Sequence, residues 1–181
     1  MNILKAAIVL SFACAQAAWP SEWSEPVEVR HDENLCLSYQ ARLDGPFLVV
    51  RAKIESGWHT FAMDNRQRAE EKLAGKRSLG IDHPTEIVLS GGLENVGPWY
   101  QSHPKDFSKP ELRWFSWGFE QRALFATKVR RPSGATRITI RGQACTDTIC
   151  KNIDVAIPLP PTGATDAESS DVNLKTLVQV R

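Results

Sequence analysis

Apolar and polar residues alternate along much of this chain, and strict alternation marks a strand with one buried face. In residues 47–55, Leu48, Val50, Ala52 and Ile54 fall on one face, opposite Val49, Arg51, Lys53 and Glu55. Residues 35–43 alternate too, grouping Leu35, Leu37 and Tyr39 opposite Cys36, Ser38 and Gln40. Asp44-Gly45-Pro46 between the two segments is a turn signal, so they are expected to pair as a hairpin. Further strands are expected at 85–89, 122–129, 136–141 and 153–159, with Pro132-Ser133-Gly134 turning the chain before 136. Residues 66–74 are rich in helix formers and run into Gly75, which predicts one short helix. Residues 97–118 carry Pro98, Pro104 and Pro110 among Trp99, Tyr100, Phe107, Trp114, Phe115 and Trp117. That segment reads as a long folded loop rather than a strand. Short strands, frequent turns and little helix predict an all-β antiparallel sandwich.

The two ends of the chain differ from this pattern. Residues 1–17 have the form of an export signal: Lys5, a short apolar run, and Ala15-Gln16-Ala17 at a cleavage position. A second reading makes Cys14 a lipid anchor, but Ser11-Phe12-Ala13 is a poor attachment motif, and cleavage near Ala17 is the expectation. The domain is then expected over residues 18–161, followed by a polar tail at 162–181. The destination implied is the periplasm or the exterior, where disulfides persist. No apolar run reaches the roughly 18–20 residues that a spanning helix needs.

Composition narrows the function classes. Among 181 residues, 22 Lys and Arg stand against 21 Asp and Glu. Such balance argues against a protein built to hold nucleic acid or anionic lipid. His31, His59, His83 and His103 are scattered without metal-ligand spacing, so no zinc site is expected. No nucleophile elbow or phosphate-binding glycine loop is present, and no cofactor is implied. Six tryptophans admit a sugar- or peptide-binding platform, though packing is the commoner use of Trp.

The cysteines carry the chemistry. If Cys14 leaves with the signal, Cys36, Cys145 and Cys150 remain. The obvious pair is Cys145 with Cys150, which leaves Cys36 as a lone thiol with a packing role. Four residues separate Cys145 from Cys150, so the bond closes a tight loop between two expected strands. A loop this short confers only about 2 kcal/mol in the chain-entropy model. Spacing alone leaves a structural staple and a redox pair both open. Lys151 and Arg141 favour a thiolate nearby while Asp147 opposes it, so local charge does not decide between them.

Gly57-Trp58-His59-Thr60-Phe61, an aromatic segment before Ala123-Leu124-Phe125-Ala126, and Gln143-Ala144-Cys145 with Cys150 before Ile-Pro-Leu-Pro form a recognisable series. Together they resemble the N-terminal periplasmic domain family of the thiol–disulfide interchange protein DsbD, over about residues 23–161. The resemblance implies an immunoglobulin-like sandwich whose two cysteines pass electrons between a thioredoxin-like donor and other exported thiol proteins. Such a protein would be a protein-disulfide reductase. Cys150 would match the cysteine that forms mixed disulfides, and Cys145 its resolving partner. A cap loop shields the pair in that family, and Phe115, Trp117 and Gly118 are the candidates for it here. Gly57, Trp58 and His59 would shape the fold rather than react. The best-known members place five residues between the cysteines and prolines after the second; here there are four, then Lys151-Asn152. The membrane electron carrier and thioredoxin-like domain of full-length DsbD are missing from this sequence, so a separate membrane donor is implied. The rival reading is a non-catalytic immunoglobulin-like module that binds protein or glycan, with Cys145–Cys150 as a fixed clasp.

Overall fold

A computed structural model describes residues 22–74, 76, 78–79, 83–130, 135–159 and 172–181. The expected export signal with Cys14 and Ala17, the helix-ending Gly75, the turn at Pro132-Ser133-Gly134 and residues 160–171 lie outside the described residues.

Among the described residues, twelve strands and one α-helix follow in chain order: β1 Val27–His31, β2 Asn34–Asp44, β3 Phe47–Ile54, β4 His59–Phe61, α1 Asn65–Lys72, β5 Glu86–Ser90, β6 Glu94–Gln101, β7 Lys105–Asp106, β8 Trp117–Phe119, β9 Arg122–Arg130, β10 Thr136–Cys145, β11 Cys150–Leu159 and β12 Val178–Gln179. One sheet runs β1-β2-β3-β9-β6-β12. The other runs β11-β10-β4-β8-β7, with β5 also paired to β10. All pairings are antiparallel. The protein is therefore an all-β sandwich of the immunoglobulin-like kind with one short helix.

Alternation builds the core. Leu37, Tyr39, Ala41 and Leu43 of β2, Leu48, Val50, Ala52 and Ile54 of β3, and Phe125 of β9 are buried against Ile138, Ile140, Ile153 and Ile157 of the second sheet. Each such aliphatic or aromatic side chain, fully buried, contributes about 1.5–3 kcal/mol. Phe119 of β8 meets Phe125 of β9 edge-on, with centroids 5.6 Å apart, and joins the layers where β4 and β8 pair.

Three local expectations are corrected. Cys36 does not fall on the face of Ser38 and Gln40, where alternation groups it; it is fully buried beside Leu37, in the packing role expected of it. The register between β1 and β2 jumps there, from Val29↔Leu37 to Arg30↔Leu35, so Cys36 is an extra residue in a bulge and its side chain turns inward. Residues 97–118 do not form one long loop. Their first part extends β6, where a bulge between Asn95 and Trp99 absorbs Gly97 and Pro98. Thr127 Oγ1 lies 3.0 Å from the Pro98 carbonyl on the inner side of that bulge. Finally, residues 172–181 are not a polar tail, because β12 adds to the edge of β6 through Val178↔Gln101 and Gln179↔Tyr100.

A buried polar cluster fixes this last strand. The Asp64 carboxylate accepts from Arg68 Nε at 2.8 Å and Gln101 Nε2 at 2.7 Å, and the Arg181 N–H reaches it at 3.4 Å. Gln101 Oε1 in turn accepts from the Met63 N–H at 2.9 Å. The Arg181 guanidinium pairs with Glu71 of α1. Burial alone would raise the Asp64 pKa. The hydrogen bonds from Arg68 and Gln101, the Arg68 charge and the Arg181 N–H outweigh it and hold the carboxyl below the usual aspartate value.

Two stability predictions follow from this packing. Gly118 of β8 sits so close to β4 that a Cβ there would lie 2.0 Å from the Thr60 carbonyl oxygen, with further backbone at 3.0 and 3.1 Å. Gly118→Ala should therefore cost about 3 kcal/mol in urea unfolding, because backbone rather than a movable side chain blocks the methyl. Asp64→Ala should cost about 3 kcal/mol at neutral pH by leaving the Arg68 charge unpaired in a buried site. A depressed carboxyl contributes fully above its unfolded pKa of about 4 and loses that contribution as pH falls through the lower folded value. The difference between wild type and Asp64→Ala should accordingly shrink in the acid range below about pH 4, as read from unfolding midpoints across pH.

Candidate functional site

The β10–β11 hairpin runs in unbroken register from Thr136↔Leu159 to Cys145↔Cys150. The cysteines are the last pair before the loop and are joined by a disulfide, with Cα atoms 4.1 Å apart. Thr146 organises the four-residue loop. Its N–H donates to the Ile149 carbonyl at 2.8 Å, and its Oγ1 accepts from the N–H groups of Thr148 and Ile149 at 3.2 and 3.1 Å. The two sulfurs have unequal surroundings: Cys145 is 3% exposed, whereas Cys150 belongs to the exposed surface. The ladder from Thr136↔Leu159 to Ala144↔Lys151 already holds these strands, so the bond adds little to their pairing.

Strand β4 lies on the other side of β10. Its His59 stands opposite Cys145 and its Thr60 opposite Ala144. Thr60 is buried, and its Oγ1 donates to the Gln143 carbonyl at 2.9 Å, fastening β4 to β10 beside the disulfide. The Gln143 side chain is also held. Its Oε1 accepts from the His83 N–H at 3.3 Å and lies 4.0 Å from Cys145 Sγ, while its Nε2 donates to Asn152 at 3.2 Å.

Cys145 and Phe61 are buried apart from the main core cluster, on the outer face of their sheet. The segment between β7 and β8 covers that face. Phe107 stacks on His59 with ring centroids 4.9 Å apart, and Phe61 meets the same imidazole edge-on at 5.3 Å. Lys109 and Trp114 close this segment through reciprocal backbone hydrogen bonds of 2.7 and 3.2 Å, with Arg113 in the left-handed region at φ +52°. Phe107 N–H donates to the Ser116 carbonyl at 2.9 Å, which ties the two arms together. The result is a cleft of about 680 Å³ walled by Trp58, His59, Phe61, Phe107 and Trp114, with both cysteines in its lining. Ser116 also lines it, with a buried Oγ that has no hydrogen-bond partner among the described residues.

The residues named from sequence are distributed as follows. Cys145 and Cys150 are bonded to each other at the cleft. Phe115, Trp117 and Gly118 belong to the covering region but do not line the cleft. Phe115 donates its N–H to Ser78 Oγ at 3.2 Å, Trp117 packs against the core, and Gly118 is the close contact of β8 with β4. Phe107 and Trp114 from the same excursion are the rings that wall the cleft. The i, i+2 spacing of His59 and Phe61 was a legible signal that both share one face of a strand, whereas its alignment with Cys145 comes from the β4–β10 pairing. Phe107 and Trp114 had no such signal, because irregular backbone carries no side-chain period.

The remaining candidates lie elsewhere. Cys36 is a buried thiol whose pKa burial pushes up, with the His31 backbone and the Lys151 charge only partly offsetting it. Trp23 lies under the guanidinium groups of Arg42 and Arg51 at 4.8 and 4.1 Å, and Trp99 packs against the core. Among the described residues, no group of three or more His, Cys, Asp or Glu is placed to hold a metal ion. No helix among them is long and apolar enough to cross a membrane.

No protein-family model matches the sequence, and no curated protein does. Among solved structures, the chain is similar to the N-terminal domain of DsbD from Neisseria meningitidis in its reduced form. The similarity has a TM-score of 0.47 and 13% sequence identity, and covers 71% of this chain and 87% of that one.

Proposed function

We propose that this chain is an exported thiol–disulfide exchange domain that cycles Cys145 and Cys150 between dithiol and disulfide. The observation that carries the reading is the asymmetry of the pair: Cys150 is an exposed residue and Cys145 a buried one, and both line an aromatic cleft. Exchange proceeds by attack of a thiolate on one disulfide sulfur, so access decides which sulfur is attacked. A partner thiolate bonds to Cys150 Sγ, the Cys145–Cys150 bond breaks, and Cys145 leaves with the electron pair. The partner's second thiol then attacks the mixed disulfide and leaves Cys150 as a thiol. Two electrons have moved from the partner dithiol to the pair, and the reverse sequence passes them to another exported disulfide.

The partners this chemistry suits are thioredoxin-like proteins of the cell envelope, recharged by a separate membrane donor. Residues 1–17 supply the export reading, and the domain of residues 18–161 carries the exchange. The 105–118 excursion acts as the cap, in which Phe115, Trp117 and Gly118 anchor the backbone while Phe107 and Trp114 face the cleft. No cofactor takes part in this chemistry.

Cys145→Ser leaves the exposed Cys150 thiol without a resolving partner, so it should form a stable mixed disulfide with a thioredoxin-like protein activated at its active-site cysteine. Cys150→Ser leaves only the buried sulfur and should form none. Equal failure of both variants, scored on non-reducing gels, would return the molecule to the rival reading of a binding module with a structural clasp.

A further inference from the structure

His59 occupies a position that the exchange chemistry leaves unused. It is the cross-strand partner of Cys145 in the β4–β10 ladder, on the same face of the sheet, and lines the cleft with both sulfurs. Directly opposed residues in antiparallel strands have Cβ atoms about 4.5–5.5 Å apart. Phe107 stacks on the imidazole at an interplanar angle of 30°, and Phe61 abuts it at 90°. These two rings fix the plane of the imidazole beside Cys145. An imidazole, unlike a phenyl ring, has a nitrogen that can hold or give up a proton.

The need for a proton there is specific. When Cys150 is attacked, the buried Cys145 sulfur departs as a thiolate with almost no access to water. An anion in such a site is costly unless a positive group or a proton reaches it. The charged groups that face the cleft are Glu55 before β4, Lys109 in the excursion, Glu120 after β8 and Asp147 in the hairpin loop. Glu120 is paired with Lys105 at 2.8 Å and Glu55 with Lys53 at 3.3 Å. Lys109 lies over the Trp114 ring at 5.6 Å. Among the described residues, His59 is the only lining group that both faces Cys145 across the ladder and can donate a proton.

The geometry points to His59 as the acid that protonates Cys145 as it leaves the disulfide. This role rests on the exchange reading of the Cys145–Cys150 pair. In the reducing direction, a thiolate bonds to Cys150 Sγ, the disulfide breaks with its electron pair going to Cys145 Sγ, and imidazolium gives that sulfur a proton. Neutral His59 then regains a proton from solvent through the cleft. In the oxidising direction, neutral His59 takes the Cys145 proton. The Cys145 thiolate then attacks Cys150 Sγ in the mixed disulfide and expels the partner thiolate.

The test follows reduction of the oxidised full chain by dithiothreitol between about pH 5 and pH 9, with each rate divided by the thiolate fraction of the reagent. In the wild type, the corrected rate should be highest at the acid end and fall as pH rises and His59 loses its proton. His59→Phe keeps both ring contacts; its corrected rate should be about tenfold lower at the acid end and should not vary with pH. In the reduced variant, the Cys145 thiolate should form at a pH about one unit higher than in wild type, followed by ultraviolet thiolate absorbance. If His59→Phe does not fold, His59→Gln provides the same comparison. A reducible disulfide whose pH profile is unchanged by the substitution overturns the role of His59 alone. A wild-type disulfide that resists dithiothreitol in the folded protein overturns the exchange reading and the role of His59 with it.

Discussion

The register of the β10–β11 hairpin is the constraint on which the site depends. Because Thr136 pairs with Leu159, every step along the ladder is fixed, and the last step brings Cys145 opposite Cys150. A slip of β11 by one residue would send Ile153 and Ile157 to the wrong face and part the sulfurs. The apolar core therefore sets the geometry of the disulfide, although neither sulfur lies in the main core cluster. The loop beyond adds only the local Thr146 hydrogen bonds. Strand β4 inherits its position from the same ladder through Thr60 and Gln143, and so His59 comes to stand beside Cys145.

The covering segment depends on a second chain of contacts. Strand β8 lies against β4 at a separation that only glycine at position 118 permits, and Asn65 at the start of α1 accepts from the Trp117 N–H at 2.7 Å. That joins the helix to the strand from which the excursion returns. The Asp64 cluster then ties the helix to Gln101 of β6 and to the C-terminal Arg181. Segments distant in sequence thus hold the rim of one cleft. The cleft itself is walled by aromatic rings from β4 and from the segment between β7 and β8, with Phe107 stacked on His59 across the two.

Much of this architecture was legible in the sequence where one face of a strand is buried and the backbone is regular. Residues 47–55 announced β3 by alternation, and Asp44-Gly45-Pro46 announced the turn into it. Alternation misled at Cys36, because a bulge reverses the face of an extra residue without any change in the apolar pattern. It was silent at Glu94–Gln101, where Gly97 and Pro98 look like loop residues and the bulge absorbs them. Strand β12 is two residues long, too short for any period, and is held by Trp99, Asp64 and Glu71 rather than by its own composition. At the site, the cysteine spacing pointed to the pair. The unequal exposure of its two sulfurs and the rings around them are products of tertiary packing.

Thiol–disulfide exchange requires that the Cys145–Cys150 bond open and close, and the reduction potential of the pair tests that most directly. The purified protein would be equilibrated against glutathione buffers and the thiols trapped and counted. The account predicts a value in the range of thiol-exchange proteins, about −270 to −180 mV. A value well below about −300 mV would contradict it, since a bond that hard to reduce behaves as a structural bridge.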